Sequence, residues 1–133
     1  FMFLNSDDYF SSKKALEYYN QKLKNNVDFV YANIFYVKEN IIIRRWKSEP
    51  LKFPLHVAAC KIPHPGFVTN LKLINKLGMF NTDYKIAADY EFILRILNET
   101  RNYEYIDHYV INMEIGGISN KSLKNIFHQN LWH

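Results

Sequence analysis

The sequence predicts an α/β domain. Stretches with the period of strands alternate with stretches of helical period along the chain. The opening apolar run, Phe1-Met2-Phe3-Leu4, breaks directly into Asn5-Ser6-Asp7-Asp8, as a buried strand does when it ends at a ligand crevice. Hydrophobic residues make up 48% and aromatic residues 17% of 133, enough for one domain with its own core.

Composition excludes several classes. Cys60 is the sole cysteine, which rules out an internal disulfide framework and fits a reducing compartment. Cysteine and histidine spacing offers no zinc site. No apolar run approaches the roughly 20 residues of a membrane span. The formal charge of +4 suits nucleic acid, an anionic membrane surface or a phosphorylated small molecule. The lysines are dispersed and no nucleic-acid motif is present, so no nucleic-acid partner is expected.

The elements follow in order. Ser11-Ser12 opens a helix to about residue 24, with Ala15, Leu16, Tyr19 and Leu23 on one face. Residues 28–37 read as a strand, Glu39-Asn40 as a turn and residues 41–46 as a hairpin partner. Residues 47–65 contain Pro50, Pro54, Pro63 and Pro65 and are expected to be loop or short turns over the surface. Thr69 or Asn70 caps a helix using Leu71, Ile74 and Leu77 and closed by Gly78. A loop over residues 79–85 leads to a helix over residues 87–99, buried through Phe92, Ile93, Ile96 and Leu97. Residues 103–114 alternate as a strand with Tyr105, Val110 and Ile111 in the core. After Gly116-Gly117, a last helix starts at Ser119-Asn120.

Two neighbouring carboxylates repel, so a cation between Asp7 and Asp8 would be stabilising. Hard ions such as Mg²⁺ or Mn²⁺ are held by one or two carboxylates together with substrate phosphates. The bland alternative is a loop whose Asp8, Ser11 or Ser12 caps the next helix.

Four landmarks in sequence order are Leu4-Asn5-Ser6-Asp7-Asp8, Ile62-Pro63-His64-Pro65-Gly66-Phe67, Ala87-Ala88-Asp89-Tyr90-Glu91 and Met113-Glu114-Ile115-Gly116-Gly117-Ile118-Ser119. With Leu77-Gly78-Met79-Phe80 and Phe92-Ile93-Leu94-Arg95 beside them, the chain resembles the C-terminal part of a family 2 glycosyltransferase with the GT-A fold. The likeness runs from Leu4 to about Asn120.

The resemblance implies a partial GT-A fold, a mixed sheet flanked by helices. Residues 1–133 would form the acceptor and metal-binding part of one domain, with the N-terminal nucleotide-binding part missing. It implies an inverting, metal-assisted transfer from a nucleotide-sugar donor to a saccharide or lipid-linked acceptor. The setting would be cell-surface polysaccharide synthesis in the cytoplasm, peripheral at the membrane face. Asp8 would ligate Mn²⁺ or Mg²⁺ and Asp7 would lie beside the donor. Asp89 matches the catalytic base, although Ala88 replaces the acidic residue usual before it. His64 would border the acceptor or donor, and Gly116, Gly117 and Ser119 would belong to a mobile loop over the donor.

Each of these has a plainer alternative: Asp89 as a helix cap, His64 as a loop residue, Gly116-Gly117 as an ordinary turn. Arg95 is expected to pair with Glu91; Arg44, Arg45 and Trp46 read as an exposed basic strand end, with a border of the acceptor cleft as the alternative. Without a donor half, a non-catalytic binding module of the same fold is the alternative function. Its unpaired sheet edge would favour a partner chain or a homodimer.

Overall fold

The computed structural model describes residues 2, 4, 7–78 and 88–115. Among these the chain is a mixed α/β structure with an open mixed sheet flanked by helices. Its strands are β1 (Asp8–Phe10), β2 (Phe29–Lys38), β3 (Ile41–Trp46), β4 (Val68–Thr69) and β5 (Tyr103–Glu114). The helices are α1 (Lys13–Leu23), α2 (Leu55–Cys60), α3 (Leu71–Leu77) and α4 (Ala88–Glu99), with a short 3₁₀ turn at His64–Gly66. The sheet runs β1-β5-β2-β3, and β4 also pairs with β2.

The central pair is β2 and β5, parallel, from Phe29 opposite Tyr103 to Val37 opposite Glu114. Strands buried on both sides read as continuous apolar runs, and β2 is such a strand. Its two faces serve different cores. Val30, Ala32, Ile34 and Tyr36 pack with Ala15 and Tyr19 of α1, whereas Phe29 and Tyr31 pack with Ala58, Ala59 and the α4 residues Phe92, Ile93, Ile96 and Leu97. Each fully buried aliphatic or aromatic side chain contributes about 1.5–3 kcal/mol through removal from water.

The β2–β3 hairpin has the expected boundaries. Glu39 and Asn40 carry φ of 50° and 65°, so consecutive left-handed residues make a tight turn whose twist matches the strands. Helix α3 is equally close to expectation: Asn70 caps it by accepting the Leu73 N–H at 2.9 Å, and Gly78 closes it at φ 80°.

The structure departs from the sequence reading in three places. Asp8 is not in a loop beyond a strand; it is the first residue of β1, opposite Met113 of β5. The apolar stretch before it contributes an isolated bridge from Met2 to Val68. Residues 47–65 are not only loop: α2 begins after Pro54, where the missing N–H of proline costs nothing, and Ala58, Ala59 and Ile62 are buried. Finally, Leu16, Leu23 and Leu71 are exposed, because only a narrow stripe of α1 and α3 meets the sheet. No helix among the described residues is long and apolar enough to cross a membrane.

Candidate functional site

The middle of the β2–β5 pair, around Ala32 and Ile34, collects the residues of interest. Only residues 100–102 separate α4 from β5, so the C-terminus of α4 lies beside the start of that strand. A rise of about 1.5 Å per residue carries the helix back about 15 Å, about five residues of strand, which brings its first turn level with the middle of β5. Asp89 is the second residue of α4, inside the helix rather than at its cap.

The Ile62–Phe67 segment meets it from the other side. Ile62 and Phe67 are buried anchors, and His64 leads the short turn between them. Gly66 passes so close to β2 that an added Cβ would lie 2.9 Å from the Ala32 carbonyl oxygen. The buried Tyr19 hydroxyl donates to the Gly66 carbonyl at 2.7 Å. The turn is therefore fixed from both sides. Its His64 Nδ1 lies 3.3 Å from Asp89 Oδ2, both side chains remaining partly open to water. Two residues that the sequence singled out separately are neighbours.

The helix bearing Asp89 is itself anchored. Arg95 bonds Glu91 through two parallel contacts, 3.0 Å from Nε to Oε1 and 2.8 Å from Nη2 to Oε2. It also donates to the Leu77 carbonyl, tying α4 to the end of α3. The expected Arg95–Glu91 pair is present and has this further reach.

Asp7 stands in a turn and is exposed; Asp8 is half-buried at the head of β1. Met113 lies opposite both Asp8 and Tyr36, so Asp8 stands level with the carboxyl-terminal half of β2. Gly116, Gly117 and Ser119 lie outside the described residues, as do Asn5 and Ser6. Among the described residues, no group of three or more His, Cys, Asp or Glu could hold a metal ion. Asp7 and Asp8 alone are a hard oxygen donor pair, suited to an ion that keeps waters or phosphate oxygens as its other ligands.

One polar cluster was not foreseen. Between Ala32 and Asn33 the β2–β5 register skips from Ile106 to Tyr109, leaving Asp107 and His108 as a bulge, and between Asn33 and Ile34 it skips Val110. The buried Asn33 fills this irregularity: its Nδ2 donates to Asp107 Oδ1 at 3.0 Å, and its Oδ1 accepts the Ser48 N–H at 2.8 Å. The Tyr105 hydroxyl lies 2.7 Å from Asn33 Oδ1 and 2.8 Å from the Ser48 carbonyl, with one proton to give. Burial, reinforced by the Asp107 charge, pushes the Tyr105 hydroxyl up to about 12. Asp107 in turn is held below the ordinary aspartate range, first by the Asn33 hydrogen bond. Tyr31 donates to the Glu49 carbonyl at 2.6 Å, and Tyr103 accepts the Leu51 N–H at 2.9 Å. Three tyrosines thus rope residues 48–51 onto the sheet. The polar Asp107-His108 pair within an apolar strand was the available signal.

Comparison with known proteins finds no matching family model and no matching curated sequence. The functional reading rests on the residues and their geometry.

Proposed function

We propose that this chain is the acceptor-side and catalytic part of a GT-A glycosyltransferase. It would transfer a sugar from a nucleotide-diphosphate donor to a saccharide or lipid-linked acceptor with inversion at the anomeric carbon. The observation that carries the reading is the His64–Asp89 contact, which brings together two of the four sequence landmarks.

Asp89 is the base. Its carboxylate takes the proton of the acceptor hydroxyl as that oxygen bonds to the anomeric carbon and the bond to the diphosphate breaks. His64 Nδ1 stands 3.3 Å from one carboxylate oxygen, and Asp89 stays partly open to water, which leaves it accessible to an acceptor hydroxyl. The backbone around both residues is fixed by Tyr19, Gly66 and Arg95, so the base is held in place before substrate arrives. Asp7 and Asp8 would hold Mg²⁺ or Mn²⁺ on the donor side. When bound, such an ion offsets the negative charge that grows on the leaving diphosphate.

Calorimetric titration with UDP and with GDP, each with and without Mn²⁺, tests the donor side. Metal-dependent binding that Asp8→Ala abolishes supports the transferase. If the chain binds neither nucleotide, with or without Mn²⁺, the reading fails.

A further inference from the structure

Four adjacent strands each place one residue on a line that runs straight across the sheet. Phe35 of β2 stands opposite Asn112 of β5 and Arg45 of β3, and Asn112 stands opposite Tyr9 of β1. Residues opposite one another in a ladder share a face of the sheet. Their chain neighbours Phe10, Ile34, Tyr36, Ile111 and Met113 all pack into the core beneath α1. Side chains alternate along a strand, so the row points the other way, to the face on which α4 packs over Phe29 and Tyr31.

Helix α4 covers only the earlier part of that face. None of the four residues belongs to either core; Tyr9 keeps 41% of its surface and Arg45 is exposed. The Tyr109 ring stacks on Phe35 at 4.5 Å with planes 10° apart, and the Arg45 guanidinium lies 5.9 Å from the Phe35 ring centre. Along β2, Phe35 is about 10 Å beyond Ala32, the residue that the Gly66 turn touches.

The row has needs that the described residues do not meet. Asn112 Oδ1 is buried and lacks a hydrogen-bond donor among them. Native structures leave few such atoms unpaired. Other cations nearby have carboxylates, Lys47 with Asp107 and Arg95 with Glu91, whereas the contact of Arg45 is an aromatic ring. A donor for Asn112, an anion for Arg45 and a flat partner for Tyr9 and Phe35 are therefore wanted along one line.

A sugar supplies the first and the last. Its hydroxyls donate, and the C–H groups on one side of a pyranose ring pack on the negative face of an aromatic ring. A carboxylate on the same sugar supplies the anion, held by charge-assisted bonds from the guanidinium. An alkyl chain would leave both Asn112 and Arg45 unpaired.

We infer that this row binds a saccharide bearing a carboxylate, with the sugar ring on Tyr9 and Phe35, a hydroxyl on Asn112 and the carboxylate on Arg45. Under the transferase reading, on which this last step rests, the bound unit belongs to the acceptor, at a distance from the hydroxyl that reacts.

Heteronuclear titration of the chain with trigalacturonate, maltotriose and citrate, without nucleotide or metal, tests this. Trigalacturonate should shift the Tyr9, Phe35, Arg45 and Asn112 amides, and maltotriose the same amides with about tenfold weaker affinity. Arg45→Ala should bring trigalacturonate down to the maltotriose level. Asn112→Leu removes the unpaired oxygen at similar size, so it should raise the urea midpoint while weakening both saccharides about tenfold. Phe35→Leu should weaken both about fivefold. The inference is overturned if neither saccharide binds, if maltotriose binds as tightly as trigalacturonate, or if citrate gives the same shifts as strongly. It is also overturned if Asn112→Leu and Phe35→Leu both bind like the parent. Saccharide binding by a chain that shows no metal-dependent nucleotide binding keeps this site and removes the transferase; the reverse result removes the site alone.

Discussion

The Tyr19 hydroxyl donates to the Gly66 carbonyl at 2.7 Å, so a helix on one side of the sheet holds the turn that carries His64. Removing that hydroxyl leaves a buried carbonyl without its donor. Tyr19→Phe should cost about 1–2 kcal/mol, read from the urea midpoint. The phenyl ring still fills the α1 face, so the fold should persist.

Gly66 tests the same turn from the other side. A methyl group there would meet the Ala32 carbonyl oxygen at 2.9 Å, and backbone cannot swing away as a flexible side chain does. Gly66→Ala should destabilise by about 1–3 kcal/mol. Chemical-shift changes in a heteronuclear spectrum should centre on His64 and Asp89; changes confined to β2 would show that the turn does not transmit the shift.

Asn33 is buried with both ends of its amide engaged. Asn33→Ala strands the Ser48 N–H and should cost about 1–3 kcal/mol. The change should also raise hydrogen exchange across residues 48–51 while α4 keeps its protection.

Asp107 gives the cluster a pH dependence of defined sign. Its folded value is depressed, first by the Asn33 hydrogen bond, with Lys47 at 3.6 Å adding to it. A depressed folded value stabilises the fold above the unfolded carboxylate value and loses that contribution as pH falls through the folded one. Glu49, lowered chiefly by its hydrogen bond from Lys61, acts in the same direction. Ser48 amide protection should therefore be flat at neutral pH and decline below about pH 4. Asp107→Ala should remove most of that decline.

If Asp89 is the base, Asp89→Asn should lower kcat/KM at least about a hundredfold while nucleotide affinity is unchanged. An equal fall in nucleotide affinity would mean that Asp89 serves the donor and not the acceptor hydroxyl.

Much of the fold was legible because local chemistry decided it. Asn70 and Gly78 announce α3, Glu39-Asn40 announces the hairpin, and the Glu91–Arg95 spacing announces their ion pair. Helix α2 was not legible: six residues show too little periodicity, and Pro54 reads as a breaker when it stands at a helix start. Strand β1 was missed for a different reason. Its three residues owe their conformation to β5, a partner about a hundred positions away. The same distance hid the polar cluster, since Asn33 and Asp107 are 74 residues apart. His64 and Asp89 could each be picked from the sequence, but their contact depends on Gly66, Tyr19 and α4 arriving together.

The parallel pairing of β2 with β5 also bears on how the chain is made. Phe29 emerges from the ribosome long before Tyr103, its eventual neighbour. At about 5–20 residues per second, several seconds pass in which the hairpin and α1 exist without the strand that completes them. Through that interval the Phe29–Val37 run, almost wholly apolar, has one open edge. The nascent chain is most exposed to aggregation and most in need of a chaperone in that window, which closes only when synthesis has passed residue 114.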